Sequence, residues 1–333
     1  MGNNNPFITI GIASYNYANY LDRAFDAIKR QSFRDFEVLY ADDGSTDDSV
    51  TIINRIIADN PDMNIRLIAG ENLGVMGNKQ RILDNALGKY IMLCDADDWM
   101  DDDCLQTLAE AAQESDADRV VSEIRNVGKD GKTLYIQKIP SNASKWCEVL
   151  HHGALYKKSL IVDNRICFSD IVPDDFCFIE DFNVFAQKTV FVHKAVYNWY
   201  IHADSTGLRG GMGSVWKGRG LLQSILTKAA EVKQKLNDPD DIAQLQAECI
   251  KCYYYHLFRY TNTLDRKERK QHYNAMHGLM LKYEPDYLDN PYMRLFHSSP
   301  FRFRLHVALS LFTIAEKMRS ISLLMSLSSL IAI

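Results

Sequence analysis

Tyr90-Ile91-Met92-Leu93-Cys94-Asp95-Ala96-Asp97-Asp98-Trp99 runs from an apolar stretch straight into three carboxylates on one short turn. A short apolar run closed by a polar turn is the pattern of a strand buried on both faces, as in a parallel sheet. Carboxylates packed this closely repel one another and resist joint ionisation, so the cluster calls for a hard divalent cation with oxygen ligands. Mg2+ or Mn2+ held by one or two carboxylates completes its shell with water and phosphate oxygens, which adds a phosphorylated ligand to the expectation.

Working outward, short apolar runs alternate with helical patterns through the first 120 or so residues, the signature of an α/β fold with a mainly parallel central sheet. Ile8 to Ser14, Phe36 to Ala41, Ile65 to Ala69 and Tyr90 to Cys94 read as strands. A helix is expected from Asn19, a favoured N-cap, with Leu21, Ala24, Phe25 and Ile28 on one face. Others carry Val50, Ile53, Ile56 and Ile57, span much of Gly74 to Ala86, and start acidic at Asp101 to end near Ala112. Beyond Ser122, Lys129-Asp130-Gly131-Lys132 reads as a hairpin turn between Ile124–Val127 and Thr133–Ile136. From Val215 the pattern is helical, with Leu221, Leu222, Ile225, Ala229 and Val232 on one face and a break at Asn237-Asp238-Pro239.

The 333 residues are 47% hydrophobic and carry a formal net charge of −5. That composition suits a sizeable core with an extension, and the acidic balance argues against a nucleic-acid partner. Seven cysteines, an odd number with no secretory signal pattern, point to reduced thiols and a cytoplasmic setting. Cys249 and Cys252 fall on a helical pattern with Ile242, Leu245 and His256, which makes them core-facing thiols rather than a zinc or redox pair.

In an open parallel sheet, ligands sit beyond the carboxyl ends of the strands, so the loops after Ser14, Asp42 and Asp95 are positioned to line one pocket. Asp43 can accept hydrogen bonds from a base or ribose, and the Tyr15 ring can cover the base. Asp42 to Ser45 also reads as a plain turn and helix cap.

Taken in order, Ile8-Thr-Ile-Gly-Ile-Ala-Ser-Tyr-Asn16, Asp42-Asp-Gly-Ser-Thr-Asp47, Asn72-Leu-Gly-Val75 and Gly88-Lys-Tyr-Ile through Asp95-Ala-Asp-Asp98 resemble the inverting glycosyltransferases of family 2. The resemblance is close over about the first hundred residues and fades toward Gly207. It implies the A-type (GT-A) nucleotide-sugar-binding fold, a divalent metal, Mn2+ or Mg2+, and a nucleoside-diphosphate sugar donor, with uridine the commonest base. By position it assigns Ser14, Tyr15, Asp43, Lys79, Asp95 and Ala96 to the nucleotide sugar, and Asp97, Asp95 and His202 to the metal. His202 would favour manganese, since imidazole is a poor ligand for Mg2+. Lys79 stands where the family often has arginine, keeping the charge but not the bidentate hydrogen bonding; Arg81 is the nearby substitute. Asp98 is expected to support its neighbours.

Phe178-Ile179-Glu180-Asp181-Phe182 resembles the family's Glu-Asp element at the acceptor site, preceded by Phe168-Ser-Asp170 and Pro173-Asp-Asp175. Asp181, or else Glu180, would be the general base that removes the acceptor hydroxyl's proton; the alternative is an acidic helix start. His151-His152 read as loop or core histidines, with acceptor contact as the other reading. A GT-A catalytic domain over 1–214, divided near 122 into nucleotide and acceptor halves, would be followed by a helical extension over 215–333.

The tail 301–333 alternates apolar runs with Arg302, Arg304, Lys317 and Arg319. Neither run reaches the roughly 20 residues of a spanning helix. It reads either as an amphipathic segment on a membrane surface or as a helical hairpin packed on protein. With the resemblance it implies a glycan or lipid-linked acceptor in surface polysaccharide or lipopolysaccharide synthesis, and a place on the inner face of the cell membrane. Rival readings are a nucleotidyltransferase, disfavoured because Ile8 to Asn19 holds no glycine-rich basic phosphate loop, and a non-catalytic nucleotide-sugar-binding protein.

Overall fold

The structure, a computed structural model, describes residues 5–146, 151–168, 174–202, 219–258 and 265–320. Of the segments singled out above, Ser169 to Pro173, residues 203–218 and the tail 321–333 lie outside these. The chain forms two compact units, one of Met1–Ile139, Val149–Asp170 and Phe185–His202, the other of Pro140–Glu148, Ile171–Val184 and Ala203–Ile333.

The first unit is built on a sheet to which nine strands contribute among the described residues, in the order β3-β2-β1-β4-β8-β6-β9-β5, with β7 on β6. β1 (Ile8–Ser14), β2 (Phe36–Asp42), β3 (Ile65–Ala69) and β4 (Tyr90–Asp95) form its parallel half. The first two and β4 are buried almost throughout, hence their unbroken apolar runs. Register brings their carboxyl ends level: Ser14 pairs with Asp42, Ala13 with Asp95 and Asp42 with Ala69. Helices α1 (Ala18–Lys29), α2 (Ser49–Asp59) and α3 (Gly74–Asn85) connect these strands.

Beyond β4 the sheet becomes mixed. β8 (Ala154–Lys157) runs antiparallel to β4 and to β6 (Arg119–Val127); β9 (Thr189–Tyr200) is parallel to β6 and antiparallel to the short β5 (Trp99–Met100). β6 and β7 (Thr133–Gln137) pair antiparallel across the Lys129–Lys132 turn.

Two helix starts differ from the expectation. α1 begins one residue before Asn19, and no side chain of its own caps it. Its first donors are met from another loop instead: Tyr17 N–H by Ser49 Oγ at 3.0 Å and Ala18 N–H by Asp47 Oδ2 at 3.1 Å. α4 (Cys104–Ser115) begins three residues after Asp101, whose carboxylate is taken by Arg125 at 3.0 Å.

The second unit contains α6 (Asp174–Phe185), all but its last residue, together with α7 (Arg219–Lys233), α8 (Pro239–Phe258), α9 (Arg266–Tyr283) and α10 (Phe303–Lys317). α5 (Lys158–Asp163) belongs to the first unit. The periodic apolar residues of α7 meet Leu245, Cys249, Ile250 and Tyr253 of α8 and Phe312 of α10 in one core. Cys249 and Cys252 are buried. No described helix is long and apolar enough to cross a membrane.

Candidate active site

Because β1, β2 and β4 end level, their three loops open at one edge of the sheet. Asn16 ties the first two together: its side-chain carbonyl accepts from Thr46 N–H at 2.8 Å and its own N–H donates to Ser45 Oγ at 2.9 Å. Asn16 holds φ at 59°, a backbone shape asparagine tolerates better than most residues.

Within the second loop the two aspartates separate in role. Asp42 accepts from Ser45 N–H and Oγ, the local turn bonding open to it from sequence. Asp43, also buried, accepts from Leu73 N–H at 2.7 Å and so reaches the loop that opens α3. Arg81 braces this corner by donating to the carbonyls of Asp42 and Glu71, both at 3.0 Å. Lys79 is buried, with Nζ 5.8 Å from the Phe168 ring centre, and its charge acts on Asp95. Arg81 is therefore the brace of the Asp43 loop, and Lys79 the cation of the acidic cluster. Ser14 is buried and Tyr15 exposed beside it.

Asp95, Asp97 and Asp98 bring carboxylate oxygens within 4.8 Å of one another. Ala96, between the first two, is fully buried, so only a small side chain fits there. Asp98 accepts from the Tyr197 hydroxyl and from Tyr200 N–H, both at 2.8 Å. Both of its oxygens are thus engaged by β9.

Asp97 Oδ2 lies 2.7 Å from His202 Nε2, and His202 Nδ1 lies 3.2 Å from the Tyr20 hydroxyl. A carboxylate acceptor puts the proton on Nε2 and leaves Nδ1 to accept from Tyr20. If His202 ligates a metal through Nε2, the proton moves to Nδ1 and Tyr20 accepts instead. A hydroxyl serves either tautomer, so the residues present fit a metal.

The electrostatics agree with that fit. Desolvation works against the Asp95 charge, but the hydrogen-bonded His152 imidazole, 3.0 Å away, and Lys79 outweigh it and hold the carboxyl below the usual range. Burial, and then the Asp95 charge, push the Asp97 carboxyl up. Burial does the same to Asp98, reinforced by Asp95 and Asp97. A cation would relieve this mutual repulsion.

Three contributors escaped sequence reasoning. His152 stacks on Trp199 with ring centres 5.8 Å apart and anchors Asp95. Tyr197 anchors Asp98. The Arg23 guanidinium lies over Trp99 and Tyr200, 4.4 and 4.2 Å from their ring centres, and donates to the Asp97 carbonyl at 2.5 Å. These partners are 57, 99 and 74 residues apart in the chain, so no local pattern carries the signal.

The expected acceptor pair lies on α6, in the second unit. Glu180 is buried. Asp181 is held by two ammonium groups, Lys228 Nζ at 2.5 Å and Lys235 Nζ at 3.3 Å.

Residues 9–167 match the family model described as glycosyl transferase family 2. Chondroitin synthase of Pasteurella multocida (strain Pm70) is 26% identical over 222 residues, which is 61% of this chain and 22% of that protein. The chain spans about a fifth of the length of the first curated relatives it matches. The structure of S. aureus TarS 1–349 in complex with UDP-GlcNAc superposes with a TM-score of 0.73 at 16% identity, covering 96% of this chain and 90% of that one. The mannosyltransferase PcManGT of Pyrobaculum calidifontis, in complex with GDP-Man and Mn2+, gives 0.55 at 17% identity, covering 96% and 88%. At such identities the likeness is one of fold.

Proposed function

From the premise that residues 9–167 of this chain belong to glycosyl transferase family 2, we propose that the protein is a metal-dependent inverting glycosyltransferase, using a nucleoside-diphosphate sugar to build a surface polysaccharide or lipopolysaccharide. The observation that carries this reading is the convergence of Asp95, Asp97 and His202 at the edge where β1 and β2 deliver Ser14 and Asp43.

Tyr15 covers the base, Asp43 and Ser14 hold the nucleoside, and Lys79 meets the diphosphate, so that binding becomes positioning. Asp97, Asp95 and His202 would hold Mn2+ or Mg2+; when bound, the ion offsets charge on the leaving diphosphate. Asp181 takes the proton of the acceptor hydroxyl. The hydroxyl oxygen forms a bond to the anomeric carbon from the face opposite the diphosphate, whose bond to that carbon breaks with the electron pair. One displacement inverts the configuration, and the ion pair with Lys228 opens for Asp181 to act. Uridine as the base is supported by the UDP-GlcNAc complex of TarS. The acceptor is a glycan or lipid-linked sugar, which sets the enzyme on the cytoplasmic face of a membrane.

A non-catalytic nucleotide-sugar binder is the second reading, favoured by the double ion pair on Asp181. A panel of nucleotide sugars, assayed for nucleoside-diphosphate release with Mn2+ and candidate glycan acceptors, separates the two. Acceptor-stimulated release that Asp181→Asn removes while donor binding persists is the expected result; donor binding with no release from any donor supports the binder.

A further inference from the structure

We propose that the outward face of α10 docks the protein on an anionic lipid surface. Phe303, Val307, Leu311, Ile314 and Met318 follow one another at steps of four and three, which places them on one helix face. That face is turned to solvent: Phe303 is 80% and Met318 71% exposed, Leu311 and Ile314 are exposed, and Val307 is partly so. The opposite face is the more polar one. It buries His306, Ser310, Thr313 and Glu316 beside Leu309, Phe312 and Ala315, and Glu316 accepts from the hydroxyls of Tyr253 and Tyr273, both at 2.9 Å. A helix that only had to meet water would carry these residues the other way round. Phe296, 98% exposed in the turn before the helix, adds a second apolar projection.

Charge decides between the candidate occupants. From Pro291 to Ile333 the sequence holds five arginines and lysines against one acid, Glu316, in a chain whose net charge is −5. Glu316 is buried, whereas Arg302 and Arg304 stand at the start of the apolar stripe and Lys317 and Arg319 at its end, all exposed. Asp289 pairs with Lys317 at 2.9 Å. An apolar stripe edged by cations suits a bilayer interface with anionic headgroups: the stripe enters the acyl boundary while the basic side chains stay with the phosphates. A second copy of the same face would set like charges against each other, and residues 321–333 carry no charged side chain to complement the basic ones.

The inference deepens the membrane placement above, and rests on that reading only for the enzyme's need to reach a lipid-linked acceptor. The test uses the full chain with vesicles of phosphatidylcholine alone or mixed with phosphatidylglycerol, read by co-sedimentation. The wild type should sediment with the mixed vesicles and far less with the neutral ones. Phe303→Asp combined with Met318→Asp should lower partitioning by about tenfold or more, and Arg304→Glu combined with Arg319→Glu should erase the anionic preference. Both pairs are exposed, so unchanged circular dichroism melting is expected to show intact folds. Wild-type indifference to both vesicles, or apolar-face variants that bind as the wild type does, overturns the proposal. So does a stripe variant that only converts dimers to monomers. Vesicle binding is read without turnover, and donor hydrolysis without vesicles, so either reading can fail alone.

Discussion

Replacing Tyr197 with phenylalanine removes one oxygen and leaves the ring in place among the core residues of the sheet. The hydroxyl is buried, donates to Asp98 Oδ2 at 2.8 Å and sits 3.4 Å from the Asp95 N–H. Without it Asp98, 2% exposed, keeps, among the described residues, the Tyr200 N–H on its other oxygen. A buried acceptor left without its donor costs about 1–3 kcal/mol. No cavity larger than the lost oxygen opens, so the penalty should lie in that range rather than with large core truncations. Urea denaturation in chelator should show a lower midpoint with unchanged slope. Because Asp98 supports the turn that carries Asp97, half-saturation by Mn2+ should rise as well. A double-mutant cycle with Asp98→Asn isolates the pair, and a coupling of at least about 1 kcal/mol is expected. A loss below about 0.5 kcal/mol, or additivity with Asp98→Asn, would refute the support role given to Asp98.

Arg23→Met keeps an apolar stem against Trp99 and Tyr200 but drops the bond to the Asp97 carbonyl; half-saturation by Mn2+ should rise about tenfold, the worth of one charge-assisted bond, with little change in melting temperature. Gly153 holds φ at +63°, and a Cβ there would lie 2.7 Å from Ser122 Oγ and 3.1 Å from Tyr197 Cβ. Gly153→Ala should therefore cost about 2 kcal/mol or more in chemical denaturation. His256 is buried on α8, and burial, with a smaller push from His272, lowers its pKa to about 4. The unfolded imidazole titrates near ~6.5, so the unfolded state binds more protons between these values; the contribution is present above that window and lost as pH falls through it. Between pH ~7 and pH ~4 the wild type should lose about 3 kcal/mol more stability than His256→Phe, measured as the difference between their denaturation curves.

The parallel half of the sheet was legible because β1, β2 and β4 are buried on both faces and each run ends in a turn. Register then does what no single motif can, setting Ser14, Asp42 and Asp95 at one edge. The mixed half was harder to see: β8 is four residues long and β9 carries exposed residues at its centre. Helix starts shifted where caps came from elsewhere, as Asp47 and Ser49 do for α1. In the site the acidic cluster was visible as local sequence, and its supports were not. Arg23 reads as one more charge on the polar face of a helix, and His151-His152 as loop or core histidines with acceptor contact as the other reading, until the fold brings Asp97 beside Arg23 and Asp95 beside His152. The outward stripe of α10 was half legible: the apolar and basic residues were plain, but only packing shows which side faces water.

The central claim is that the Asp95–Asp98 turn joins a divalent ion to a nucleoside diphosphate. Calorimetry of UDP binding with and without Mn2+, on the wild type and on Asp97→Asn, tests it most directly. The account predicts metal-dependent UDP binding in the wild type, and loss of that metal dependence in a variant that still melts cooperatively. Equal metal-dependent binding by Asp97→Asn would contradict it.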